Sequence, residues 1–122
     1  MNTQEVANQL VALCREGKNI EAVEKLYADN IISIEPAGAP AERTEGLAAV
    51  KAKTQDFFAM VEEMHGGTVS DPIVAGNHFS VNMGMDITFK ESGRTSIDEI
   101  CVYEVNDGKI AKEQFFFTTN QR

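Results

Sequence analysis

His78-Phe-Ser-Val-Asn-Met-Gly-Met-Asp-Ile-Thr-Phe89 repeats with a period of two. Phe79, Val81, Met83, Met85, Ile87 and Phe89 fall on one side, and His78, Ser80, Asn82, Asp86 and Thr88 on the other. Successive side chains of a strand point to opposite faces, so this stretch predicts one long strand with a single apolar face. Glu91-Ser-Gly93 turns the chain into a second long strand. One side of it carries Ile97, Glu99, Cys101, Tyr103 and Val105, and the opposite side Asp98, Ile100, Val102 and Glu104. Asn106-Asp107-Gly108 holds the Asp-Gly pair favoured in tight hairpins. A final strand follows, with Glu113, Phe115 and Phe117 on one face and Ile110, Gln114 and Phe116 on the other. Long strands joined by short turns predict an antiparallel meander, because parallel neighbours need crossover connections.

Upstream of about Thr68 the period is helical. Asn2 or Thr3 can cap a first helix carrying Val6, Leu10, Leu13 and Cys14, with Arg15 and Gly17 at its end. Asn19 can cap a second, with Ile20, Val23, Leu26 and Tyr27 on one side, ending near Asp29-Asn30. A third begins after Thr44 and aligns Leu47, Val50, Thr54, Phe57, Phe58 and Val61 in one stripe. Ile31 to Glu35 reads as a short strand running into the turn-rich Pro36-Ala-Gly-Ala-Pro40. Helices first and sheet afterwards is the α+β order, over a single domain, residues 1–122.

The chain carries 19 acidic and 11 basic side chains, a net charge of −8. That balance repels phosphate backbones and anionic lipid, so neither nucleic acid nor a membrane is an expected partner. Cys14 and Cys101 have no metal-like spacing and, with no signal-peptide pattern at the N-terminus, are expected as free thiols in the cytoplasm. No zinc-type ligand spacing and no glycine-rich phosphate loop occurs, so neither metal nor cofactor is expected.

The last two strands bear apolar residues on both faces, Ile100, Val102 and Phe116 being the outer ones. A sheet with one wet face alternates more cleanly, so a second copy is expected on the outer face, as a homodimer. The inner face would then hold Glu99, Cys101, Tyr103, Glu113, Phe115 and Phe117 among apolar neighbours. A slip of one residue would send both glutamates into solvent instead. A carboxyl group in dry surroundings titrates upward, which suits proton transfer near neutral pH.

Asn19-Ile-Glu-Ala-Val-Glu-Lys-Leu-Tyr27-Ala-Asp29, then Ile31 to Pro36 and the third helix, resembles the first half of SnoaL-like polyketide cyclases and ketosteroid isomerases. Asp98 to Phe117, with its Asp107-Gly-Lys-Ile110 hairpin, resembles the closing hairpin of that nuclear transport factor 2-like superfamily. The resemblance implies a conical half-barrel of cystatin-like type: three N-terminal helices on a strongly curved, mainly antiparallel sheet. It also implies an apolar pocket and a homodimer.

Carried over by position, the proton-shuttling carboxylate that the isomerases place before a proline corresponds to Glu35, before Pro36. The family's oxyanion-binding tyrosine falls at Leu10 or Val11, and its protonated aspartic acid at Cys101; neither place offers a strong donor. The catalytic aspartate of the cyclases falls at Phe115. Steroid isomerisation and that cyclisation are therefore not expected. The expected function is binding of a small apolar organic molecule. Cofactor-free isomerase, cyclase or lyase chemistry on a carbonyl compound would follow, with Glu35 or Glu99 as base and His65 or Tyr103 as donor. Tyr103, Glu113, Phe115, Phe117, Met83 and Cys101 would contact the ligand. The alternative is a non-catalytic ligand-binding or dimerisation domain of the same fold.

Overall fold

Asn2 opens the first helix with a reciprocal cap: its side chain accepts from the Glu5 amide at 2.8 Å, and the Glu5 carboxylate accepts from the Asn2 amide at 3.0 Å. The computed structural model describes residues 1–118. In chain order the elements are α1 (Thr3–Arg15), α2 (Asn19–Leu26), β1 (Tyr27–Ile34), β2 (Arg43–Glu45), α3 (Leu47–Ala59), β3 (Val61–Val69), β4 (Ile73–Ala75), β5 (His78–Phe89), β6 (Gly93–Asn106) and β7 (Lys109–Phe116). The strands form one seven-stranded sheet in the order β2-β1-β7-β6-β5-β3, with β4 also on β5. All pairings are antiparallel except β1 with β7. Three helices therefore lie on a curved, unclosed, mainly antiparallel sheet, the expected α+β half-barrel.

The expected parity holds along β5, β6 and β7 except at Ile110. Register places Phe79, Tyr103 and Glu113 in one transverse row and Val81, Cys101 and Phe115 in the next. Met83 lies beside Glu99 one row further on. These residues share the concave face with Ser33, which pairs with Glu113. The Asp107-Gly108 turn takes left-handed backbone at both residues, φ 50° and 76°, as a two-residue hairpin requires.

Four readings are corrected. The second helix stops at Leu26, and Tyr27 already belongs to β1. Asn19 lies inside that helix, which has Lys18 at its cap position. The third helix ends at Ala59 rather than beyond Val61, because Val61 to Val69 pair with β5 along its length. The run of strands that follows the third helix thus begins at Val61, not Thr68. Ile110, assigned to the outer face, is buried in the core: the β6–β7 register shifts between Glu104 and Val105, and the extra residue turns Ile110 inward.

The core lies between the first two helices and the sheet. Val6, Leu10 and Val11 of α1 and Val23 and Leu26 of α2 meet Phe79, Val81, Tyr103, Val105 and Ile110. Tyr103 and Phe79 stack with ring centroids 4.8 Å apart. The space beneath α3 is different. Of the α3 stripe only Val50 is buried; Leu47, Thr54, Phe57 and Phe58 remain half-buried, and so do Met83, Met85, Ile97 and Phe115 on the facing sheet. A helix and a sheet that each keep a partly uncovered apolar face are the candidate walls of an open cup.

Candidate functional site

The polar groups of the cup follow from two strands and one helix. Glu113 of β7 points inward and is only 3% exposed. Its carboxyl accepts hydrogen bonds from the Tyr27 hydroxyl and from Ser33 Oγ, the latter at 2.7 Å. Ser33 Oγ in turn accepts from Lys53 Nζ at 2.6 Å, and the same ammonium pairs with Glu35 at 3.2 Å. Lys53 reaches this point from α3 and lies 5.5 Å above the centre of the Phe115 ring. Tyr27, Glu113, Ser33, Lys53 and Glu35 thus form one continuous chain from the core to the cup.

Glu99 stands one row beyond Phe115, half-buried, and among the described residues its hydrogen-bond donor is the Cys101 thiol at 3.7 Å. Burial, then the charge of Glu35, raises its pKa from 4.5 to about 7; the thiol and Lys53 pull weakly the other way. Burial also raises Glu113, against the opposing hydrogen bonds from Tyr27 and Ser33. The Cys101 thiol is pushed up by burial and by Glu99, so it stays protonated and is no nucleophile at neutral pH.

The structure brings Glu35, Glu99 and Phe115 together at the cup, with Met83 beside Glu99 and Phe117 half-buried just past β7. Cys101, Tyr103 and Glu113 share the concave face but are buried beneath the helices, so they support the cup from below. His65 is elsewhere. It lies within β3, not at a helix end, and its Nε2 is 2.7 Å from Thr88 Oγ1. Thr88 alternates with the buried Ile87, so His65 occupies the convex side, near Glu63 and Asp86. A donor role for it inside the cup is not supported by that position. Sequence reasoning missed Lys53, Ser33 and Tyr27. Lys53 stands at the third position after Val50, on the inward side of the α3 stripe, which was the available signal.

Two surface hollows lie away from Glu99 and Lys53, the second of them touching Tyr27. One of about 680 Å³ borders Gly46, Ala48 and Lys51; the other, about 500 Å³, borders Asn30, Asp107 and Lys109. Neither contains Glu99 or Glu113, whose carboxyls titrate upward. Among the described residues no group of three or more His, Cys, Asp or Glu side chains could hold a metal ion.

The site carries a pH dependence of stability. Glu99 titrates near 4.5 when unperturbed and at about 7 in the fold, so between those values the native chain holds a proton that the unfolded chain has released. Its contribution to stability is full below the lower value and is lost as pH rises through the upper one. Glu99→Gln is therefore expected to melt progressively higher than the parent as pH increases, the gap levelling off above pH 7. Melting curves of both proteins across this range check it; a constant gap would contradict the assignment.

A family model described as a SnoaL-like domain matches residues 1–117. A Mesorhizobium loti protein described as a candidate SnoaL-like polyketide cyclase, with carbohydrate phosphatase as a second description, superposes with a TM-score of 0.88. It is 36% identical, and the match covers 95% of this chain and 99% of that one. A Catenulispora acidiphila protein of ketosteroid isomerase-like fold, in complex with trimethylamine, gives 0.76 at 17% identity, covering 98% and 90%. TerC, co-crystallised with polyporic acid, gives 0.75 at 18% identity, covering 94% and 90%. No functionally curated protein matches the sequence.

Proposed function

The chain belongs to the SnoaL-like domain family, and on that footing we propose that its cup binds a small apolar organic molecule and moves a proton on it through Glu99. The observation that carries this reading is a half-buried carboxyl, titrating at about 7, set between the partly uncovered apolar walls of α3 and the sheet. Such a group is available in both protonation states near neutral pH and can take a proton and return it. Trimethylamine and polyporic acid with proteins of the same fold support a small-molecule occupant. Glu99 suits the base better than Glu35, whose carboxylate is tied to Lys53 at 3.2 Å. The class of reaction is isomerase-, cyclase- or lyase-like, on a carbonyl compound.

The test is a screen of small enolisable carbonyl compounds for loss of an isotopic label at the carbon next to the carbonyl. Exchange that requires Glu99 supports the reading. Binding without exchange would reduce the protein to a ligand-binding domain.

The convex face is proposed as the homodimer interface. Ile100 and Phe116 are partners in the β6–β7 register and are 52% and 50% exposed, with the half-buried Val102 and Ile34 nearby. The parent is expected to run at twice the monomer mass in light scattering at micromolar concentration, and Phe116→Glu at the monomer mass. A monomeric parent would refute the interface. Free Cys14 and Cys101 fit a reducing compartment, the cytoplasm. No helix among the described residues is long and apolar enough to cross a membrane.

A further inference from the structure

Proton removal next to a carbonyl leaves negative charge on oxygen, and a site without a donor for that oxygen forfeits most of its rate. Leu10, Val11 and Cys101 cannot supply one, the first two being apolar and the third a weak thiol donor committed to Glu99. From the placement of its ammonium on the cup wall, over Phe115 and beside the Glu99 row, we infer that Lys53 is the catalytic residue that receives this charge.

An ammonium has three N–H bonds. Among the described residues two are used, toward Ser33 Oγ at 2.6 Å and Glu35 Oε2 at 3.2 Å. The side chain is still 24% exposed, so a third acceptor can reach it. Ser33 is itself fixed by Glu113, and Glu113 by Tyr27, so the buried chain acts as a positioning network that holds the ammonium in place. A lysine would otherwise swing freely on its four-carbon stem, and a donor held in advance needs no reorganisation as charge develops. This assignment rests on the proton-transfer role of Glu99.

The step balances within the site. Glu99 as carboxylate takes the proton from the carbon next to the carbonyl. The C–H electron pair becomes the new carbon–carbon π bond, and the carbonyl π pair moves to oxygen, where an N–H of Lys53 meets it. Return of the proton from Glu99 to carbon restores the carbonyl and the carboxylate. The substrate class that follows is an apolar ketone or related carbonyl compound with an acidic neighbouring C–H, its oxygen toward α3.

The probe is 4-nitrophenol, an apolar ring whose oxygen becomes anionic and whose ionisation is read from its visible absorption. Bound to the parent protein it is expected to ionise at lower pH than in free solution, by about one unit or more. Lys53→Met is expected to abolish that shift, Lys53→Arg to keep most of it, and Ser33→Ala to reduce it. Melting curves establish that the variants are folded, and a purely structural lysine would not move the absorption midpoint. A lowered midpoint that survives in Lys53→Met overturns the assignment to Lys53 and leaves the cup and Glu99 standing. An unshifted midpoint of bound probe does the same. Failure of the probe to bind at all overturns the cup as a ligand site, and the role of Lys53 with it.

Discussion

Glu99→Gln is expected to lower turnover of any carbonyl substrate by about 10²–10⁴-fold while leaving its binding nearly unchanged. The amide keeps the size and one acceptor oxygen but cannot take a proton. In the parent the rate of proton removal should rise through pH 7, because the carboxylate is the working form and its pKa is about 7. Glu35→Gln should behave differently. The Glu35 charge helps to raise Glu99, so its removal should displace the rising limb toward lower pH without abolishing it. Full loss in Glu35→Gln with retention in Glu99→Gln would transfer the base to the position before Pro36, where the family resemblance places it. The pH–rate profiles of the two variants separate these cases.

Glu113→Ala is expected to destabilise the fold by about 3–4 kcal/mol, measured by chemical denaturation. The Tyr27 and Ser33 hydroxyls would lose their acceptor in a buried setting, and each orphaned group costs about 1–3 kcal/mol, with a cavity in addition. Glu113→Gln retains an acceptor oxygen and should lose less than half as much. Every side-chain polar atom buried among the described residues has a partner, so this network has no slack to absorb the deletion. A loss below about 1 kcal/mol in Glu113→Ala would mean that the hydroxyls find other partners, and the positioning chain to Lys53 would fall.

The sheet was legible because its strands are long and strictly alternating. From Phe79 to Ile87 and from Ile97 to Tyr103 a single parity assigns every side chain, and the Asp107-Gly108 hairpin pins the register between the last two strands. Where the alternation is interrupted the reading failed. A register shift before Val105 reversed Ile110, and Gly66 and Gly67 hid β3, whose two faces are both largely exposed and carry no apolar period. The helix-to-strand change at Tyr27 has no Gly or Pro to mark it, and tertiary pairing with β7 decides it.

Within the site, Glu99 and Glu113 were found by parity, while Lys53 and Ser33 were not. Their significance depends on β1 lying parallel beside β7 and on α3 crossing above both, a juxtaposition of segments some 80 positions apart in the case of Ser33 and Glu113. Local pattern cannot encode such a meeting. His65 shows the converse: its near-neutral reference pKa suggested chemistry, but the β3 register turns it to the convex side, against Thr88.

The titration of the Glu99 carboxyl, followed by carbon-13 NMR and assigned by its disappearance in Glu99→Gln, tests the central claim most directly. A midpoint near 7 is the expected result and would establish a proton-transfer group poised for neutral pH in the cup. A midpoint near the unperturbed 4.5 would contradict it, leaving Glu99 a permanently ionised wall residue with no proton to exchange.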